Sequence, residues 1–315
     1  TINDLSLKDC NLTERVAELK KAYFIAMPEV CVERSGLITR FHLENNLLNK
    51  DRISILDKAR AYRFVLENRA PIVWHKRSYQ KGMTPFEFKD NSLFAGSTTS
   101  KFKGVPLYPE FLALTLWPEL LGISDRARNP FYLGKEDAED LNLKIFPHWM
   151  ENNLLELARK KYHPPEMKTL ERLVFFLASK PNCISHTIPD FSKAINRGLR
   201  AVIDEAKEKG AKASDGSKKE FYTAITEVLE GIIAFSKNLA KKAKEMADNE
   251  PDPNIKKELL NIAEINNRIP ELPARSFREG LTTIWICWTA IHLENPNVGL
   301  SLGRLDQILY DLYRK

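Results

Sequence analysis

The chain has 315 residues, enough for a sizeable core, and its 43% hydrophobic and 29% charged residues exclude disorder as the default state. A formal charge of +6 admits anionic partners. However, the excess lies on Lys-rich faces (Lys237, Lys241, Lys242, Lys244) followed by Glu245, Asp248 and Glu250, with no interleaved aromatics, so a solvated face is favoured over a nucleic-acid surface.

Leu12, Val16, Leu19 and Tyr23 share one face of a first predicted helix, closed by Pro28. Ile53, Leu56, Ala59, Tyr62 and Val65 recur at threefold spacing and predict a helix over 51–68. Residues 71–75 (Pro-Ile-Val-Trp-His) read as a short buried strand, and 80–104, rich in Gly, Ser, Thr and Lys, as a loop. Helices are expected again over 151–161 and 169–179. After Pro189, Asp190 marks a helix start, Phe191, Ile195, Leu199 and Val202 its inward face, and Gly210 the position beyond its end. A long helix over 218–248 carries Phe221, Ile225, Val228, Ile232 and Phe235; Pro251 and Pro253 break it, and another begins near Asn254. The last long helix follows Pro273. Ser276 and Glu279 have the spacing of a capping box, and Leu281, Trp285, Trp288 and Ile291 leave it apolar on nearly every side, so deep burial is expected.

No repeat, low-complexity tract or linker divides the chain, so one domain over 1–315 is expected. Residues 301–315 read as a Gly-containing turn and a helix just under way, which leaves the Trp-rich helix without a covering layer; a truncated chain is expected. No apolar run approaches the ~20 residues of a membrane helix. The opening Thr1-Ile2-Asn3-Asp4 carries no secretory signal, so the expected location is cytoplasmic. Cys10, Cys31, Cys183 and Cys287 form no CxxC pair and are expected as reduced thiols. Cys183 and His186 have CxxH spacing without a second ligand pair, so no metal site is expected.

Four segments carry a family pattern: Met27-Pro28-Glu29-Val30-Cys31-Val32-Glu33-Arg34; Ser185-His186-Thr187-Ile188-Pro189-Asp190-Phe191 leading to Gly198-Leu199; Pro273-Ala274-Arg275-Ser276-Phe277-Arg278-Glu279-Gly280-Leu281; and Ser301-Leu302-Gly303-Arg304-Leu305-Asp306-Gln307 with Leu309-Tyr310. In order and spacing they resemble the motifs of glycyl-radical enzymes of the pyruvate formate-lyase family, outside its pyruvate-specific branch. The resemblance spans nearly the whole chain. It implies an α/β fold: the helix-rich half of a ten-stranded barrel, truncated before the loops that bear a thiyl cysteine and a glycyl radical. The Gly-Cys-x-Glu or Cys-Cys and Arg-Val-x-Gly-Tyr contexts of those loops do not occur here.

The resemblance also implies radical lyase or dehydratase chemistry in anaerobic metabolism, by C–C, C–O, C–N or C–S cleavage of a small organic substrate. A homodimer and an S-adenosylmethionine-dependent iron–sulfur activase, which installs the glycyl radical, are the implied partners; nucleic acid and membrane are not. No cofactor is expected to bind this part, which is expected to be inactive alone. Formate C-acetyltransferase and a non-catalytic helical binding module are the alternatives, and an anion-binding protein is a third that rests on charge alone.

Within this pattern His186 is the candidate catalytic and substrate-binding residue, because imidazole can donate, accept or carry a proton. In diol-dehydrating members the histidine of this motif holds a substrate hydroxyl and assists its loss as water. The plainer reading is a histidine that ties the turn before Pro189. Ser301 is the second substrate-binding candidate, its hydroxyl fixing a substrate oxygen, against the reading of a turn-forming serine between Gly299 and Gly303. Leu300 stands where some dehydratases have a histidine, which argues against glycerol-like substrates. Arg304 and Asp306 read as an ion pair pinning the loop rather than an anion clamp. Trp117, Phe131, Trp149, Trp285 and Trp288 read as core rather than as an aromatic-substrate pocket.

Overall fold

The computed structural model describes residues 16–17, 20, 27–50, 53–74, 94–101, 103–162, 164–173, 186–296 and 299–315. The helix expected on the face of Leu12, Leu19 and Tyr23 lies outside these residues, apart from 16, 17 and 20, which are helical. Cys10, Cys183 and Ser185 also lie outside them, as does 174–179 of the helix expected there.

The described strands are very short: β1 (Glu29–Cys31), β2 (Val73–Trp74), β3 (Phe94–Ala95) and β4 (Gly104–Pro106). β1 runs parallel to β4 with Val30 opposite Val105, and β2 antiparallel to β3 with Val73 opposite Ala95. The expected loop over 80–104 is therefore corrected: it contains β3 and the start of β4. β2 falls within the strand expected over 71–75; two or three residues are too few to display a period of two, so the other strands leave no such signal.

α1 (Glu33–Glu44) follows β1 directly. α2 (Ile55–Asn68) begins at a reciprocal cap: Asp57 N donates to Ser54 Oγ and Ser54 N to the Asp57 carboxylate, both at 3.1 Å. This helix serves two cores. Ala61 and Val65 face a smaller cluster with Val30, Ile38, Leu107, Leu141, Phe146 and Trp149. Tyr62 and Leu66, one residue on, face a larger cluster with Phe191, Ile195, Ile203, Phe235, Leu239 and Ile286. One residue is roughly a 100° step around a helix, which is how a single rod supplies both.

The smaller cluster is completed by Leu120 of α3 (Pro109–Leu120), by Leu141 and Ile145 of the π turn that follows α4 (Lys135–Asp140), and by Phe146 and Trp149 of α5 (Phe146–Trp149). α6 (Leu154–Tyr162) starts later than the expected 151, because Asn153 caps it by accepting from Glu156 N at 3.1 Å. α7 (Pro165–Leu173) starts earlier than the expected 169, at a proline suited to a first helical position.

The larger cluster is walled by α8 (Phe191–Lys212), α9 (Gly216–Asp248), α10 (Pro253–Arg268) and α11 (Phe277–Glu294). Asp190 caps α8 from Lys193 N at 2.9 Å, as the sequence predicts. Two details differ. Gly210 lies inside α8, which ends only when Asp215 begins the next cap. And Ile203, at 0% exposure, takes the inward place expected of Val202: it lies four residues after the buried Leu199, which lies four after Ile195.

α11 is also less enclosed than its composition predicts. Phe277 and Leu281 are exposed and Trp285 and Trp288 half-buried, since positions 277, 281, 285 and 288 fall on one stripe. α12 (Leu305–Ile308) and α13 (Tyr310–Arg314) bury Leu309 and Leu312 against the larger cluster. Among the described residues, no helix is long and apolar enough to cross a membrane.

Candidate active site

Backbone hydrogen bonds join the second motif segment to the third and to the fourth, and the first reaches the far end of the helix that the third begins. Arg34, 5% exposed, reaches the C-terminal end of α11: Nε donates to Leu293 O at 2.6 Å and Nη2 to Glu294 O at 3.0 Å. There a cation meets helix carbonyls that have no partner within the helix. Arg34 also pairs with Glu110 and lies 4.0 Å from the Tyr108 ring centroid. Glu33 accepts from Ala70 N at 2.6 Å and so holds the end of α2.

Gly198 presses backbone against backbone. Leu199 N and Arg200 N donate to Pro270 O and Glu271 O at 2.8 and 2.9 Å, and Ala274 N donates to Ile195 O at 2.9 Å. A Cβ at 198 would stand 2.5 Å from Glu271 O, so only glycine admits this approach. Arg200 reinforces it by bridging Glu230 and Glu271, the latter at 2.8 Å.

Ser276 caps α11, accepting from Glu279 N at 3.3 Å. The expected capping box is corrected in one respect: the Glu279 carboxylate passes Ser276 and accepts from Arg275 N at 2.6 Å, because the Arg275 side chain draws it there at 2.7 Å. Burial alone would raise the Glu279 carboxyl; the hydrogen bonds from Arg275 and the charge of Arg268 outweigh it and hold the group below the usual carboxylate range.

His186 and Ser301 are brought to one place by the backbone. Ser301 N donates to Thr187 O at 3.0 Å, which lays the segment after His186 along the segment before Gly303. His186 has a left-handed backbone (φ 57°), a conformation few residues adopt. Its ring rests on Gly299: a Cβ there would lie 2.9 Å from His186 Cδ2 and 3.1 Å from Nε2. Ser301 Oγ accepts from Gly303 N at 3.3 Å, which leaves its O–H free to donate elsewhere. Both candidate side chains are exposed. Leu300, between them and α11, packs on the larger cluster.

Arg304 and Asp306 pair at 2.8 Å, the arrangement the sequence favours, and their hydrogen bond raises Arg304 and lowers Asp306. The five large aromatics do not form one pocket. Phe131 and Trp149 belong to the smaller cluster, Trp285 and Trp288 stack at 5.3 Å against the larger one, and Trp117 donates to Asn142 on the surface. Cys31 and Cys287 are buried, and burial pushes the Cys287 thiol up to about 12. Among the described residues no group of three or more His, Cys, Asp or Glu side chains is placed to hold a metal ion. Sequence reasoning missed Gly299 as the floor under His186; a glycine two residues before the motif serine was the available signal.

A family model described as pyruvate formate lyase-like matches residues 11–315. The chain is 28% identical to the isethionate sulfite-lyase of Nitratidesulfovibrio vulgaris, over 96% of this chain and 36% of that protein. It is 26% identical to the (2S)-3-sulfopropanediol dehydratase of Klebsiella oxytoca, over 94% of this chain and 35% of the other. Among solved structures, the glycerol-bound B12-independent glycerol dehydratase of Clostridium butyricum matches with a TM-score of 0.80 at 28% identity, over 97% of this chain and 37% of that one. The chain thus spans about a third of the length of these relatives.

Proposed function

The chain belongs to the pyruvate formate lyase-like family, and from that premise we propose that it is the helix-rich portion of a glycyl-radical lyase or dehydratase in which His186 and Ser301 face a small organic substrate. The observation that carries this reading is the Thr187–Ser301 hydrogen bond, which sets an imidazole in a left-handed turn beside a hydroxyl with a free donor. Unusual backbone of this kind concentrates at functional sites, where about 1–3 kcal/mol of local strain is tolerated for positioning. Relatives named as a sulfite-lyase and dehydratases support bond cleavage next to an oxygen-bearing carbon.

In this proposal the chain's residues handle oxygen and protons. Ser301 donates to a substrate oxygen and fixes its orientation. His186 donates a proton from its ring to the departing oxygen, so that a hydroxyl leaves as water rather than as hydroxide. The glycyl radical, installed by a radical S-adenosylmethionine activase, supplies hydrogen-atom abstraction through a thiyl cysteine; both lie in motifs that this sequence does not contain. Such chemistry requires a dry site, while His186 and Ser301 are exposed in this chain. The remainder of the enzyme, in the barrel and homodimer proposed here, covers them, and the chain alone has no turnover.

The test is His186→Ala and Ser301→Ala in the complete enzyme, activated without oxygen. Turnover should fall about a hundredfold or more for His186→Ala, in the range of general acid catalysis, while the radical signal in electron paramagnetic resonance stays at the unmodified level. Full turnover in both variants would refute the assignment.

A further inference from the structure

A groove of about 470 Å³ is formed by α2, α9 and the last turns of α11, and neither His186 nor Ser301 lines it. That volume lies within the range of small-molecule sites. Residues three and four apart share a helix face, and three such faces build the groove: Ile55 and Ala59 from α2, Phe221, Ile225 and Val228 from α9, and Ile291 from α11. Along α9 the fold covers the later members of that stripe, Ile232 and Phe235, and leaves Phe221 open, 49% exposed. Ile55 on α2 is 46% exposed, so both side chains offer apolar surface that a ligand can reach. Two charges line the same groove, Lys58 on the α2 face and Glu294 on the α11 face, and both are exposed. Neither forms an ion pair with the other or with any other described residue. Glu294 Oε2 accepts from the Asn295 side-chain amide, and its Oε1 makes no hydrogen bond among the described residues.

Apolar walls with one reachable cation and one reachable anion are complementary to one kind of molecule. A carboxylate on an apolar tail would find Lys58 but also the like charge of Glu294, and an amine would meet the reverse. A molecule that carries both charges beside an apolar body meets neither conflict. We propose that this groove is a small-molecule site, separate from the His186–Ser301 turn, for an amino acid with an apolar side chain. Its carboxylate pairs with Lys58 Nζ, which can only donate, and its ammonium with Glu294 Oε1, which can only accept. Its side chain covers Phe221, Ile225 and Ile291.

The probe is L-phenylalanine, titrated into the full 315-residue chain and followed by saturation-transfer NMR at low salt, where exposed charges are least screened. It should saturate and bind about two- to fivefold more tightly than phenethylamine, which lacks the carboxylate, or 3-phenylpropanoate, which lacks the ammonium; that is the range of one exposed ion pair. Glycine keeps both charges without the apolar body and should bind more weakly than L-phenylalanine. Lys58→Gln should weaken L-phenylalanine about two- to fivefold and leave phenethylamine unweakened. Glu294→Gln should weaken L-phenylalanine to the same degree and spare 3-phenylpropanoate instead. Both side chains are exposed, so the circular dichroism melts of the variants should not move. Absence of saturation, any of the three analogues binding as tightly as L-phenylalanine, or undiminished L-phenylalanine binding in either variant would overturn the proposal.

Discussion

Replacing Gly198 by alanine tests the tightest joint of the fold. At φ 73° and ψ 158° the residue occupies a region that is essentially glycine's alone, which costs an alanine about 1–3 kcal/mol. The new methyl would also stand 2.5 Å from Glu271 O, 2.7 Å from Leu272 C and 2.8 Å from Leu272 Cα. Those atoms are backbone and cannot swing aside, so the two chains must separate, at a further ~1–3 kcal/mol for overpacking. Three hydrogen bonds cross that joint, from Leu199, Arg200 and Ala274, and all stretch if it opens. Together, Gly198→Ala should destabilise the chain by about 2–6 kcal/mol in urea unfolding followed by far-UV circular dichroism. Gly36→Ala is the control. It lies in α1 with nothing within 4 Å of an added Cβ, so helix propensity should leave stability unchanged or raise it by up to ~1 kcal/mol. A Gly198→Ala variant within about 0.5 kcal/mol of the parent, the scatter of ordinary surface substitutions, would refute the close-approach argument.

Two further outcomes follow from the same coordinates. His42 is lowered from the ordinary histidine value of 6.5 to about 4 by burial and then by His148, so between those values the unfolded chain takes up the proton more readily. The stability contributed by the neutral ring is therefore complete above pH 6.5 and drains as pH falls to 4, by roughly 3 kcal/mol at 1.36 kcal/mol per pH decade. His42→Gln should flatten that slope in urea titrations at pH 7, 5.5 and 4, and parallel slopes in the two proteins would contradict it. Gly299→Ala should leave the fold intact, since the nearest atoms to the methyl belong to the movable His186 ring, at 2.9 to 3.2 Å. It should shift the His186 ring resonances and, in the complete enzyme, cut turnover by about a hundredfold, as misplacements near 1 Å do. Unmoved resonances would show that the ring does not rest on Gly299.

Much of the larger cluster was legible because its helices are long and punctuated. Asp190 and Ser276 cap where the sequence predicts, α10 begins beside the expected Asn254, and Ile232 and Phe235 are buried while Phe221, expected on the same face, is exposed. What failed to show depended on contacts between distant segments. Gly198 reads as one more helical residue until Glu271 is placed against it. α1 was missed because its buried positions are partly polar: Arg34, Ser35, Thr39 and His42 face inward, and such a face carries no apolar period. For the site, residue types and spacing pointed to His186 and Ser301. Their adjacency, and the floor at Gly299, came only from a backbone hydrogen bond between residues more than a hundred positions apart.

The grip of Arg34 on Leu293 and Glu294 ties the start of α1 to the last turn of the last long helix, 259 and 260 residues away. During synthesis the guanidinium emerges far ahead of the carbonyls it will cap, and must wait in water until α11 has been made. Contacts of such long range are late and slow to form. The closing of this ring is therefore expected to come after β1 has paired with β4, and the Arg34 side chain to stay accessible on nascent chains until α11 arrives.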